Sequence, residues 1–270
     1  MPTRATLAAL LLTLLAAGVA EAPPRAAGAQ WREPVGVAAK PIVEPRLVAR
    51  GGIEEAQRWA RRRAGTVSFA VAGTGRIRGV AIHRRYPSAS VVKAMLALAL
   101  TRAARDRALT ASERALIRPM IVVSDNDAAS TIYARVGAAR MYDIARDAGM
   151  ANFAIGGNWA DAQLTAHDQA RLFLRIDRLT PRRHRGYLRG LLAGITPSQR
   201  WGIAPVAEER DFKIMFKGGW RIAIFHQVAL LERDGKRIAL AILTRSADHG
   251  YGRETQSGIA ARVLARLPRR

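Results

Sequence analysis

The sequence predicts an α/β fold of the α+β kind: a five-stranded antiparallel sheet flanked by terminal helices, with an all-helical lobe inserted into it. Two observations predict it. Apolar residues alternate with period two only at 66–83 and 211–245, whereas from residue 88 to about 195 the apolar period is helical. The strand pairs are joined by tight turns, 73-GTGR-76 and Asp234-Gly235, which demand antiparallel neighbours. A sheet assembled from both ends of the chain leaves the intervening helices as a second lobe. A cleft between lobes is a usual ligand site.

Residues 1–29 carry a basic start at Arg4, an apolar run from Leu7 to Ala20 and small residues after it, the layout of a secretory signal peptide. The run is shorter than the ~20 residues of a membrane span. Pro34, Pro41 and Pro45 mark residues 30–50 as a tether, and the folded domain is expected over 51–270. Within it a helix at 53–64 precedes strands at 66–73 and 77–83. The helical part runs from 88 to about Asp106, then 126–137 and 138–149 with glycines at their ends, 165–179 and 181–194. Thr165 followed by Asp168 reads as a capping pattern. Strands at 211–220, 222–232 and 236–245 and a helix at 253–267 complete the order.

The 49% hydrophobic content with 24% charged residues suits a folded core. With no cysteine, the chain has no disulfide, no thiolate nucleophile or metal ligand, and no lipid-modified cysteine. His83, His167, His184, His226 and His249 lack ligand spacing, and His226, in an alternating strand, reads as a packed residue. No glycine-rich phosphate loop is present, so neither metal nor cofactor is expected. The net charge of +23 comes from 39 arginines and only five lysines against 21 acidic residues. The arginines are spread along the chain without interleaved aromatics, which argues against nucleic acid and fits an arginine- and alanine-rich coding bias. For a secreted or periplasmic monomer, anionic cell-wall polymers or lipid head groups are the natural partners of such charge.

Against this background Lys93 is out of place. It lies in 88-SASVVKAMLALAL-100, an apolar helix without an acidic partner, three residues after Ser90. Residues three apart share a helix face. A serine needs a base beside it to act as a nucleophile, and a desolvated lysine can be neutral where arginine cannot. Ser90 at a helix N-terminus also has free backbone N–H groups near it. Two further motifs follow: 124-SDN-126, 34 residues after Ser90, and 217-KGGW-220 at the end of a strand.

S-x-x-K on a helix, S-D-N after it and K-x-G on a late strand together form the motif set of serine β-lactamases and penicillin-binding proteins. From about residue 50 onward the chain resembles that superfamily, and most closely its class A branch. The resemblance implies that Ser90 is acylated, that Lys93 accepts its proton and that Ser124 relays a proton to the leaving nitrogen. It further implies that Asn126 binds the substrate amide, that Lys217 supplies charge near Ser124, and that backbone N–H groups of Ser90 and Trp220, beside Gly219, form the oxyanion hole.

Two departures bear on the substrate. Gly218 stands where the family has Thr or Ser, and Arg221 is a candidate to compensate. The loop 154-AIGGNWADAQLT-165 lacks the glutamate that activates the deacylating water, and Asp161 is its one carboxylate and the possible base. The reading is therefore an exported acyl-enzyme hydrolase opening β-lactam amides. The alternatives are a D-alanyl-D-alanine peptidase, a penicillin-binding or esterase-like hydrolase with slow deacylation, or a non-catalytic cell-wall binder.

Overall fold

The computed structural model describes residues 46–266. The expected signal segment and most of the tether lie outside the described residues. The tether's end does not hang free: Val48 bridges Leu264, Ala49 N–H donates to the Val263 carbonyl (2.9 Å), and Leu47 is buried.

The elements are α1 (Gly52–Arg61), β1 (Thr66–Ala72), β2 (Arg78–Val80), β3 (Tyr86–Pro87), α2 (Lys93–Ala103), α3 (Ala111–Val122) and α4 (Asn126–Ala148). They continue with β4 (Gln163–Leu164), α5 (Ala166–Leu174), α6 (Ile176–Leu179), α7 (Arg185–Ala193), α8 (Ile203–Glu208), β5 (Lys213–Arg221), β6 (Ile224–Arg233), β7 (Lys236–Arg245) and α9 (His249–Val263). β1, β2, β5, β6 and β7 form the five-stranded sheet, in the order β2-β1-β7-β6-β5 with every pair antiparallel. That is the predicted sheet, assembled from both ends of the chain.

Period two divides the sheet between two cores. Ile238, Leu240 and Ile242 of β7 join Phe216 and the inner faces of α1, α8 and α9 on one side. Ala239, Ala241 and Leu243 face the other, where α5 lies on the sheet and the core continues without a break into α2, α3, α4 and α7. The helical insert thus shares one core with the sheet.

Several expected boundaries move for local reasons. β2 is only three residues long because Ala81 turns to φ 44°. The helix expected from residue 88 begins as a 3-10 turn, Ala89–Val92. The segment 165–179 breaks at Arg175 into α5 and α6, and 181–194 opens with a 3-10 turn at Arg182–His184. Gly137, at φ 71° and ψ 167°, interrupts α4 where the sequence places the join of two helices. α3 lies within the helical stretch expected from 88 to about 195, though not among the helices delimited there, and it runs through Pro119. It carries a full capping box, with Glu113 N–H donating to Thr110 Oγ1 and Thr110 N–H to Glu113 Oε2. At Thr165 only half of that pattern forms: Thr165 Oγ1 caps Asp168 N–H, while the Asp168 carboxylate accepts from Ala151 and Asn152 N–H.

Candidate active site

The segment that carries Ser90 is fixed from two sides. β3 pairs with β4, and Ser88 N–H donates to the Ala162 carbonyl at 2.7 Å, tying the segment to the loop before α5. His226, buried on β6, ties it to the sheet. Thr244 N–H donates to His226 Nδ1 (3.2 Å), so Nε2 carries the ring proton and donates to the Pro87 carbonyl (3.0 Å). Burial, more than the nearby arginines, lowers the His226 pKa to about 4, so the ring stays neutral at neutral pH. The sequence placed His226 as a packed residue, and its role here is structural.

Ser90 lies in the 3-10 turn, partly exposed, and Lys93 is the first residue of α2 and fully buried. Two backbone positions in the site are held in the left-handed region without being glycine: Ala89 (φ 45°) and Ser124 (φ 63°). Such residues cost about 1–2 kcal/mol each and persist where the surroundings over-determine them. The bend at Ser124 directs its carbonyl and its hydroxyl at one amine. Lys93 Nζ lies 2.6 Å from Ser124 O, 3.2 Å from Ser124 Oγ and 2.8 Å from Asn126 Oδ1. Asp125 turns away and caps α4, its Oδ1 accepting from Ala128 N–H.

From the opposite side Lys217, fully buried on β5, donates to Ser124 Oγ (3.1 Å) and to the Gly218 carbonyl (2.9 Å). One hydroxyl therefore sits between two amines. It has a single proton to give, so it accepts from at least one of them. Burial lowers the Lys93 pKa to about 8, partly opposed by the charge of Asp125. Burial first, then repulsion from Lys93, drives Lys217 well below the ordinary lysine range.

Gly219 explains how β5 reaches the serine. A Cβ there would stand 2.7 Å from Ser90 N and 2.8 Å from Val91 N, so only glycine lets the strand lie against the turn. Gly218 is different: its Cβ would meet the Trp201 ring at an ordinary 3.4 Å. Trp201 is nearly buried, meets Trp220 edge-on at 6.0 Å, and is anchored by Gln227 Nε2 donating to its carbonyl. An aromatic wall thus lies beside the glycine that replaces the family hydroxyl.

The structure thereby gathers Lys93, Ser124, Asn126 and Lys217 into one polar cluster and sets Gly219 against the Ser90 amide. It does not join Ser90 and Lys93 directly: among the described residues no hydrogen bond links Lys93 Nζ to Ser90 Oγ. Asp161, the possible base, is engaged by an arginine. The Asp161 carboxylate accepts from Arg221 Nη1 at 2.7 Å in an exposed pair, and the same contact engages the arginine considered as a substitute for the missing hydroxyl. The ring of Trp159 lies 4.9 Å from Lys93 Nζ, and its Nε1–H donates to Ser130 Oγ. Neither Trp159 nor Trp201 was singled out by the sequence, where a tryptophan reads as core. No cluster of His, Asp and Glu suited to a metal ion occurs among the described residues.

Known structures share this architecture. A β-lactamase from Sphaerobacter thermophilus DSM 20745 superposes with a TM-score of 0.70 at 20% identity, over 78% of this chain and 95% of that one. PBP-A gives 0.68 at 18% identity, over 78% and 94%. TLA-1 extended-spectrum β-lactamase gives 0.69 at 14%, over 78% and 96%. At these identities the likeness speaks for the fold. No curated protein matches the sequence. The model of the β-lactamase enzyme family matches residues 108–267, a span that includes Ser124 and Lys217 and begins after Ser90 and Lys93. With more than half of its length matched, the chain belongs to the β-lactamase enzyme family.

Proposed function

We propose that the protein is an exported serine hydrolase that forms an acyl-enzyme at Ser90 with β-lactams or related cell-wall peptides and releases the acyl group slowly. The observation that carries this reading is the Ser124 hydroxyl held between two buried amines, beside a serine whose amide abuts β5. Neutral Lys93 takes the Ser90 proton as Oγ bonds to the substrate carbonyl carbon. The oxyanion lies between the N–H groups of Ser90 and Trp220. The C–N bond breaks as Ser124 gives its proton to the leaving nitrogen and regains one from Lys93. Lys217 orients the Ser124 hydroxyl through its 3.1 Å contact, and Asn126 turns its amide to the substrate.

Slow release is supported by the loop side of the site. The Trp159 ring lies against Lys93, and Asp161, the one carboxylate of the loop 154–165, is held by Arg221 rather than free to act on water. Among the similar structures is a PBP-A mutant in acyl-enzyme complex with penicillin G. Export rests on the basic and apolar pattern of residues 1–29 and implies a secreted or periplasmic location.

Purified protein and a Ser90→Ala variant, incubated with a chromogenic cephalosporin and a penicillin and followed by turnover and intact mass, test the reading. Stoichiometric Ser90-dependent labelling with little turnover is expected. Sustained turnover would make the protein an efficient β-lactamase, and absence of both signals would overturn the acyl-enzyme assignment.

A further inference from the structure

A cleft of about 800 Å³ lies in the helical part, lined by the end of α2, the second half of α4, α6 and the turn that leads into α7. None of the proposed site residues lines it. Seven arginines and three aspartates do. The aspartates are already engaged: Asp147 with Arg102 (2.6 Å), Asp143 with Arg146 (2.6 Å) and Asp106 with Arg105 (3.8 Å). Arg140, Arg178, Arg182 and Arg185 remain, exposed and with no carboxylate partner among the described residues. The charge of Arg178 is felt nearby, since the pKa of Arg175 is depressed by burial first and then by repulsion from Arg171 and Arg178. Apolar lining is confined to Ala99, Ile144 and Leu179, buried beneath the arginines, and exposed Ala103.

A second basic cleft shows what a satisfied one looks like. It measures about 580 Å³, and its Arg189 and Arg237 are tied to Glu232 and to the neighbouring Asp177. Such a network leaves little charge for a ligand. In the first cleft the side chains of Arg178 and Arg182 have no hydrogen-bond partner among the described residues, and Arg140 and Arg185 each spend one N–H on a backbone carbonyl, Val136 O and Thr180 O, so guanidinium edges remain whose shape matches phosphate oxygens. Its volume exceeds that of a bare ion and suits a small molecule or head group with an uncharged body.

We propose that this cleft binds phosphate esters, the four arginines that lack a carboxylate partner, Arg178 and Arg182 foremost, holding the phosphate and the apolar residues beside them receiving the carbon skeleton. Binding is independent of the acyl-enzyme chemistry, so Ser90→Ala protein binds as well as the parent.

The test is calorimetric titration of the full folded protein with glycerol 3-phosphate at physiological salt. It is run on the parent, on Arg178→Gln/Arg182→Gln, and on a charge-matched control, Arg61→Gln/Arg84→Gln, whose arginines are exposed and outside the cleft. Saturable binding that weakens about tenfold or more in the cleft variant and less than about twofold in the control is expected. A melting curve of each variant verifies folding, and single Arg182→Glu gives a second, independent loss. Equal weakening in both double variants would reduce the effect to overall charge and overturn the site, as would absence of saturable binding. Vesicles of phosphatidylcholine with and without phosphatidylglycerol identify the source. Cleft-dependent binding to the anionic vesicles assigns a lipid head group, and binding of the soluble ester alone assigns a free phosphate ester.

Discussion

The two walls of the active site differ in how completely they are equipped. On the wall formed by α2, the α3–α4 junction and β5, each proposed role for acylation has a residue in place, and the polar contacts around Ser124 and the two lysines fall between 2.6 and 3.2 Å. On the loop wall, Trp159 packs over the amine and the one acidic side chain is drawn to an arginine at the rim. Forming and breaking an acyl-enzyme need different bases, and under the proposed function the described residues supply groups for the first step while the one loop carboxylate, Asp161, is paired with Arg221. On the proposed function, the loop side chains rather than the family fold set the fate of the intermediate.

The largest effect is expected at the equipped wall. Lys93→Arg keeps the charge but cannot be neutral, and the rate of penicillin labelling should fall by about 10³- to 10⁴-fold, measured by stopped-flow or by intact mass against time. Gly219→Ala should follow, at about 10²-fold in the same assay. The added methyl would meet Ser90 N and Val91 N and push β5 from the oxyanion site.

The pH profile of acylation comes next. Lys93 must lose its proton to act, so the labelling rate rises with pH, about tenfold per unit below a midpoint near 8, and levels off above it. A profile flat from pH 6 to 9 would remove Lys93 from the role of base. The smallest effect is on the other wall: Asp161→Asn should change both acylation and release by less than about twofold, because an exposed ion pair at the rim contributes little. A large loss of release in that variant would restore Asp161 as the base and abolish the contrast between the walls.

The same contrast governs what could be read from the sequence. The acylating wall was legible because its residues come in short motifs whose spacing has a mechanical meaning: a serine and a lysine on one helix face, and an aspartate that caps α4 beside the asparagine that meets the amine. The strand periods and the Asp234-Gly235 turn likewise carry the sheet. The loop wall was not legible, since β3 and β4 are two residues each and their pairing is a long-range event without a local signal. Trp159 and Trp201 look like core in a sequence and acquire meaning only from Lys93 and Gly218 beside them. α3 carries a local signal of its own, the capping box at Thr110 and Glu113, which could have delimited it within the helical stretch.

The central claim is that acylation is supported and release is not, and the lifetime of the adduct tests it most directly. Protein labelled with penicillin, freed of excess reagent and held at neutral pH, would be followed by intact mass. The account predicts that the Ser90 adduct persists for hours and that Asp161→Asn leaves its decay unchanged. Return of the unlabelled mass within seconds would contradict it and place a competent deacylating base in the site.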